Sequence, residues 1–283
     1  MSDLSHSAAP AREATSIQVL TVRGDLVEKR ADRLAGEEPL EIRAAGPGQE
    51  PVAVAVTMRT PGHEAELAVG FLRTEGLIAG DEVERVDFGD PATLAQPDDT
   101  AVVRLTRAFD ASAIAERQFV ATASCGICGK ASLDEIEVRC EPLPAGSPQV
   151  DRSVIIGLPR ALRDAQAVFE LTGGLHAAGL FDPHGGLVVV REDVGRHNAL
   201  DKLVGSQVLA SALPLHERVL MVSGRVSFEI VQKAAVAGIP IVCAVSAPSD
   251  LAVEAAQRLG QTLVGFLRGD GFNVYANSER IRL

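Results

Sequence analysis

Hydrophobic and polar positions follow two different periods along the chain. The alternation over 52–58 predicts a strand, and apolar positions on one face of 64–75 predict a helix. After residue 150, aliphatic runs such as 187–190 and 239–243 are separated by stretches with helical spacing. This alternation predicts a mostly parallel sheet that is buried on both faces. The predicted helices there span 158–169, 198–209, 228–237 and 250–259, and the strands span 187–191, 218–222, 239–244, 263–267 and 273–276.

Helix-breaking residues divide the chain between these two patterns. These residues form a cluster just before residue 150, where the alternation of helices and strands begins. The cluster consists of Pro142, Pro144, Gly146 and Pro148. Such a cluster is typical of a domain boundary. We therefore expect a flexible tail at 1–16, a smaller α+β region at 17–149 and an α/β domain at 150–283.

Composition and charge narrow the classes of function. The 283 residues carry 27 Lys and Arg against 38 Asp and Glu, a net charge of −11. A nucleic-acid-binding protein usually carries a basic surface, so we expect no nucleic acid as a partner. The start of the chain lacks a signal-peptide core, and the longest aliphatic run is too short to span a membrane. We expect a cytoplasmic protein without a membrane partner.

Two of the four cysteines, Cys125 and Cys128, lie three residues apart in a glycine-rich loop beside Lys130. Mobile backbone amides and a nearby cation favour the reactive thiolate. The spacing fits a persulfide relay, a dithiol redox pair or half of a zinc site. Because no second Cys-x-x-Cys follows, we assign no metal ligand. We expect the other two, Cys140 and Cys243, to be inert.

The segment TGGLHAA at 172–178 is similar to the zinc-binding segment of cytidine deaminases. Those enzymes carry a proton-transferring glutamate two residues after the histidine, where this chain has Ala178. Deamination is therefore not expected. A functional role for His176 and a structural one, as a core or pocket histidine that is hydrogen-bonded to the backbone, remain equally open.

Polar loops follow three predicted strands, at 192–198, 223–227 and 246–250. The carboxyl ends of parallel strands share one edge of a sheet, so these loops should meet at one pocket. Arg196 and Lys202 near a helix start would suit a phosphate or a polar ring. The alternative is a solvated helix cap.

Five motifs in order resemble the formate dehydrogenase accessory sulfurtransferase (FdhD) family. The similarity runs from about residue 20 to the C-terminus. The motifs are SCGICGK at 124–130, TGGLHAA at 172–178, EDVGRHNALDK at 192–202, SGRVS at 223–227 and FLRGDG at 266–271. Together they are far more specific than any one alone.

The resemblance implies a sulfur carrier with a cytidine-deaminase-like α/β fold. Such a protein takes persulfide sulfur from a cysteine desulfurase and transfers it to molybdenum in the bis(molybdopterin guanine dinucleotide) cofactor, for formate dehydrogenase. A guanine nucleotide would mimic that acceptor. The resemblance also implies a cytoplasmic homodimer.

The same resemblance assigns roles to particular residues. Cys125 matches the persulfide position and Cys128 its partner. Cofactor binding falls on the turn formed by Phe266, Leu267, Arg268, Gly269, Asp270 and Gly271. Because Asp270 replaces a basic residue of related turns, we expect Arg268 and the main chain to make the contacts. Arg196, His197 and Arg225 complete the predicted nucleotide pocket.

Two other functions fit the same motifs. One is a non-catalytic chaperone that binds the molybdenum cofactor while its cysteine pair binds zinc or forms a regulatory disulfide. The other is a dithiol oxidoreductase, which would act on generic disulfides and need no pterin nucleotide.

Overall fold

The structure is a computed structural model that describes residues 13–89, 99–115, 140 and 142–283. Its strands form a two-stranded arm, a four-stranded sheet, a six-stranded sheet and one short pair. Helices pack between and outside the two larger sheets. No helix in this part of the chain is long and apolar enough to cross a membrane.

The arm is an antiparallel hairpin of β1 (Ala14–Arg23) and β2 (Leu26–Ala35). Its turn contains Gly24 at a φ of 59°. A two-residue Gly-Asp turn between alternating apolar residues is a hairpin signal that our sequence analysis missed. Residues 14–16, expected in the flexible tail, instead pair with the end of β2. The remainder of that tail, 1–12, lies outside the described residues.

The N-terminal sheet has the order β4-β3-β6-β5. Its inner face packs on α1, where Leu40 and Ile42 of β3 join Leu67 in one core. The predicted strand and helix at 52–58 and 64–75 are confirmed. The elements are β3 (Glu38–Ala45), β4 (Val52–Arg59), α1 (Glu64–Thr74), β5 (Val83–Phe88), β6 (Thr100–Leu105) and α2 (Ser112–Ala115).

The C-terminal sheet has the order β13-β12-β11-β10-β8-β9. The short pair β7 (Val150–Asp151) and β14 (Ile281–Arg282) lies beside it. The sheet strands are β8 (His176–Phe181), β9 (Leu187–Asp193), β10 (Val219–Val222), β11 (Ile241–Ala244), β12 (Thr262–Arg268) and β13 (Gly271–Ala276).

The prediction of a mostly parallel sheet is wrong. Only β10–β11 and β11–β12 pair in parallel, whereas the other three pairings are antiparallel. Strand β8, which inserts between β9 and β10, was not predicted from the sequence. β9 is consequently an edge strand, and its Leu187 and Val188 are exposed rather than buried. The fold is therefore a mixed α/β fold.

Five helices accompany this sheet. The predicted helix at 158–169 is two helices, because the chain turns at Ala165 and Gln166, whose N–H groups bond three residues back. The other predicted helices are confirmed within two residues. The helices are α3 (Arg152–Asp164), α4 (Ala167–Thr172), α5 (Arg196–Leu209), α6 (Phe228–Val236) and α7 (Asp250–Arg258).

Helices α1 and α5 cross at two glycines. A Cβ on Gly70 would lie 1.8 Å from the carbonyl oxygen of Asp201, and one on Gly205 would lie 1.8 Å from that of Glu66. Only glycine permits this backbone approach. The largest core accordingly contains side chains from both sides of the expected boundary near residue 150. The crossing holds the N-terminal sheet against the C-terminal one.

Candidate functional site

The three polar loops meet at one edge of the six-stranded sheet, as the sequence predicts. Strand β8 runs antiparallel to both β9 and β10, and β10, β11 and β12 run parallel. The carboxyl ends of β9, β10, β11 and β12 therefore point the same way. Ligands bind at this edge in open α/β sheets.

Main-chain hydrogen bonds connect the loops at this edge. The N–H of Val226 donates to the carbonyl of Ala247 at 3.2 Å, and the N–H of Ser249 returns a bond to Val226 at 3.0 Å. The N–H of Phe266 donates to Ser246 at 3.1 Å. The loops after β10 and β11 and the end of β12 thus form one continuous surface.

The last residue of β12 presents a cation at this surface. Arg268 is exposed, and its guanidinium lies 5.2 Å from the ring centre of Phe266. Phe266 has a φ of 52° at a break in the β12–β13 register, a costly backbone conformation for a bulky residue. Gly269 begins the turn at a φ of 61°. Leu267 is fully buried, so only its main chain is available to a ligand.

Lys202 is not available to a ligand, and the expectation that it contacts a phosphate is wrong. Its Nζ lies 2.7 Å from Asp193 Oδ2 and donates to the carbonyl of Thr60 at 2.8 Å. Asp193 also accepts the N–H of Thr60 at 3.1 Å. All of these groups are buried. The solvated-cap alternative is wrong for the same reason, because this ion pair holds the loop after β4 against β9 and α5.

A second buried ion pair involves Asp201, which directly precedes Lys202 in the motif at 192–202. Lys233 of α6 contacts Asp201 at 2.9 Å and Glu75 at 3.0 Å, and donates to Thr74 Oγ1 at 2.9 Å. Burial opposes the charge of Lys233, but the two carboxylates outweigh it and raise its pKa. Lys233 could not be singled out from the sequence, because its partners Asp201 and Glu75 lie 32 and 158 positions away along the chain and no local pattern links residues so far apart.

Arg196 and His197 begin α5 and remain at the edge. His197 Nε2 lies 3.2 Å from Ser227 Oγ and 3.8 Å from Glu229 Oε2. Burial, together with the charge of Arg196, lowers the pKa of His197 to about 4, so this imidazole is neutral at pH 7. Among the described residues, the buried Nε of Arg196 has no hydrogen-bond partner. Arg225 is exposed on the adjacent loop.

His176 lies beside Arg196, at the start of β8 rather than on a helix. A Cβ on Gly224 would approach His176 Nδ1 to 3.3 Å and Arg196 Cδ to 4.0 Å. Burial and the charge of Arg196 lower the pKa of His176. Its imidazole lines a cavity of about 470 Å³.

Cys125 and Cys128 lie outside the described residues. The other two cysteines are not activated: burial raises the pKa of Cys243, and burial raises that of Cys140 despite the nearby charge of Arg73. Within the described ranges, no group of three His, Cys, Asp or Glu side chains is placed to hold a metal ion.

Comparisons with known proteins identify the family. The model of the FdhD/NarQ family matches residues 35–282. The chain is 48% identical to the sulfur carrier protein FdhD of Streptomyces avermitilis, covering 94% of this chain and 95% of that protein. It is 46% identical to the protein of that name from Mycobacterium tuberculosis, covering 93% and 97%. A crystal structure from Desulfotalea psychrophila, described as that of a formate dehydrogenase accessory protein, superposes with a TM-score of 0.73 at 25% identity, covering 95% and 99%. The chain belongs to the FdhD/NarQ family.

Proposed function

We propose that the protein is a sulfur carrier for formate dehydrogenase. It accepts persulfide sulfur from a cysteine desulfurase on Cys125 and transfers it to molybdenum in the bis(molybdopterin guanine dinucleotide) cofactor. The observation that carries this proposal is the full-length similarity to proteins named sulfur carrier protein FdhD. The cationic edge of the C-terminal sheet supports it, because the acceptor is a polyanion.

The cysteine pair supplies both chemical steps. In the first, the thiolate of Cys125 attacks the terminal sulfur of the donor's persulfide; a new S–S bond forms and the donor leaves as a thiolate. In the second, the thiolate of Cys128 attacks the chain-bound sulfur of Cys125, and the terminal sulfur leaves as hydrosulfide for the acceptor. The resulting disulfide is returned to two thiols by a cellular thiol reductant.

The exposed cations supply acceptor binding. Arg225 and Arg268 reach solvent at the edge, and Arg196 has a buried Nε that is unpaired within the described residues. The neutral His197 adds a polar contact without a charge. Charge-assisted hydrogen bonds from guanidinium groups suit phosphate oxygens. We expect GDP, as a mimic of the acceptor, to bind about tenfold more weakly to Arg268→Ala, and equally well to the control Arg85→Ala on the N-terminal sheet.

Mass spectrometry tests sulfur acceptance. After incubation with a cysteine desulfurase and cysteine, the peptide containing Cys125 should gain the mass of one sulfur atom. Cys125→Ala should lose this adduct, whereas the control Cys140→Ala should keep it. A protein that binds one zinc ion per chain and gains no sulfur would instead be the cofactor-binding chaperone. Full formate dehydrogenase activity with Cys125→Ala would refute the sulfur-carrier function.

We also propose that the protein is a homodimer. A two-stranded hairpin is at best marginally stable by itself in water. The arm nevertheless exposes apolar side chains on both strands, and Leu20, Val22, Leu26 and Val27 are each more than half exposed. Light scattering should give twice the mass of the chain, and a monomer at micromolar concentration would contradict this proposal.

A further inference from the structure

The two outer edges of the arm differ in charge. Within the described residues, β1 and β2 pair only with each other, so each strand has one edge without a partner strand. All but one of the residues at 28–33 in β2 are charged, whereas residues 14–22 of β1, ATSIQVLTV, contain no charge, proline or glycine. A long, exposed, uncharged edge is a template for pairing with another strand, and charges on an edge oppose such pairing. The outer edge of β1 is therefore the one that suits a partner strand.

The turn of the hairpin fixes which main-chain groups of β1 face this edge. Arg23 and Leu26 flank the two-residue turn, and in such a hairpin the flanking residues exchange both hydrogen bonds. The register runs without a shift to Ala14 and Ala35, so bonding to β2 alternates along the whole strand. Odd-numbered residues of β1 bond to β2, and even-numbered ones direct their N–H and carbonyl groups outwards. Gln18 lies at the centre of these outward-facing residues.

A second copy of β1 fits this edge. When two copies of one strand pair antiparallel about a two-fold axis, one residue lies opposite its own copy. Centred on Gln18, such a pairing matches 14–22 of one chain with 22–14 of the other. It places Ile17 opposite Val19 and Thr15 opposite Thr21, and β-branched pairs of this kind stabilise antiparallel sheets.

The outer edge of β2 cannot pair with its own copy in this way. Every symmetric register centred on a residue from 28 to 33 puts like charges directly opposite each other. Centring on Arg30 places Arg30 opposite itself, for example, and centring on Ala31 places Lys29 opposite Arg33. Like charges directly opposite each other are destabilising. Self-pairing of the arm is thus favoured at β1 and opposed at β2.

We propose that two copies of the chain join through β1, in an antiparallel pairing centred on Gln18 that makes one four-stranded sheet from the two arms. Three or more strands with an apolar face are independently stable, whereas a single hairpin is marginal. The pairing accounts for an arm in which Leu20 and Val22 are 61% and 62% exposed. This inference rests on the proposed homodimer and names the surface that forms it. The matched family model begins at residue 35, so this surface lies outside that model.

Cysteine crosslinking tests the register. In a chain with Cys125→Ser and Cys128→Ser, Gln18→Cys places two thiols opposite each other at a Cα separation of about 5.5 Å, which a disulfide spans. Mild oxidation should convert most of the protein to a covalent dimer on a non-reducing gel. The matched control is Ala31→Cys, because Ala31 lies directly opposite Gln18 on β2. Its two copies would be three strand spacings apart, about 14 Å, so this variant should remain uncrosslinked.

Light scattering of two proline variants tests the edge. Gln18→Pro removes an N–H that faces the outer edge of β1 and leaves the hydrogen bonds to β2 in place, so the mass should fall from two chains to one. Ala31→Pro removes the corresponding N–H from the outer edge of β2 and should keep the mass of two chains. Because the pairing edge is uncharged, the unaltered dimer should also persist at about 1 M NaCl, where exposed charge pairs are screened.

The outcomes separate this pairing from the other proposals. A dimer that crosslinks through Ala31→Cys rather than Gln18→Cys, or through neither, would overturn the β1 pairing and leave the homodimer standing. Equal masses of the two proline variants would overturn it as well. A monomeric unaltered chain would overturn both the pairing and the homodimer. Sulfur acceptance is measured with Cys125 in place and does not involve the arm, so the sulfur-carrier function stands or falls separately.

Discussion

Lys233 offers the sharpest test of how this fold is held together. Its ammonium is buried where α1, α5 and α6 meet, 2.9 Å from Asp201 and 3.0 Å from Glu75. Lys233→Met keeps the apolar stem and removes the charge. Asp201, only 1% exposed, would then be a buried carboxylate whose closest remaining partner is Thr74 Oγ1, at 2.6 Å. The stability of the folded state should fall sharply.

The size of the loss follows from the burial of both partners. Removing one member of a buried ion pair destabilises a protein by about 3–5 kcal/mol, because the other charge is left unpaired. Asp201 retains one short hydrogen bond, so we expect about 3–4 kcal/mol for Lys233→Met. Adding Asp201→Asn removes the orphaned charge and keeps the hydrogen bond from Thr74. The double variant should therefore recover about 2 kcal/mol relative to Lys233→Met.

Urea unfolding followed by circular dichroism measures these values, since the chain has no tryptophan for fluorescence. Arg160→Met on the exposed face of α3 is the control and should change stability by no more than about 0.5 kcal/mol. The reasoning is refuted if Lys233→Met lies within about 1 kcal/mol of the unaltered protein. It is also refuted if the losses of the two single variants simply add in the double variant.

Two further predictions concern packing and pH. Gly205→Ala forces a methyl group against the main chain of α1 and should cost about 3 kcal/mol, whereas Gly157→Ala, with nothing within 4 Å, should stabilise by up to about 1 kcal/mol in the same unfolding assay. Equal effects of the two substitutions on stability would contradict the close crossing of α1 and α5. Burial disfavours the charge of Glu66, but hydrogen bonds from Arg191 outweigh this and lower its pKa to about 2. A carboxylate whose pKa is lower in the folded state than in the unfolded state stabilises the folded state at pH values above its unfolded pKa. This contribution to stability should therefore disappear as pH falls from about 5 towards 2. Glu66→Gln should flatten the stability profile there; an unchanged profile would argue against this ion pair.

Several elements were predictable because their signals are local. The helix at α7 has a Ser249 cap whose Oγ accepts the N–H of Ala252, and its apolar face recurs with helical spacing. The loops after β9, β10 and β11 stand out through their glycines and charges. Their meeting at one edge was predictable as well, since it needs only that the strands point the same way.

Other features depended on pairing between distant segments. Strand β8 was missed because its motif, with a histidine and small residues, has no clear strand alternation. Its insertion between β9 and β10 made the sheet mixed and left Leu187 exposed at the edge.

By itself, the sequence determined the family motifs, the periodic helices and strands, and the loops that carry charge. Only the tertiary structure decided which of those charges are available to a ligand. Lys202 in α5 and Arg268 at the end of β12 both belong to polar motifs, yet Lys202 is buried against Thr60, 142 residues away, whereas Arg268 is exposed. The physical reason is that burial and ion pairing depend on contacts between distant residues, which the spacing within one motif does not encode.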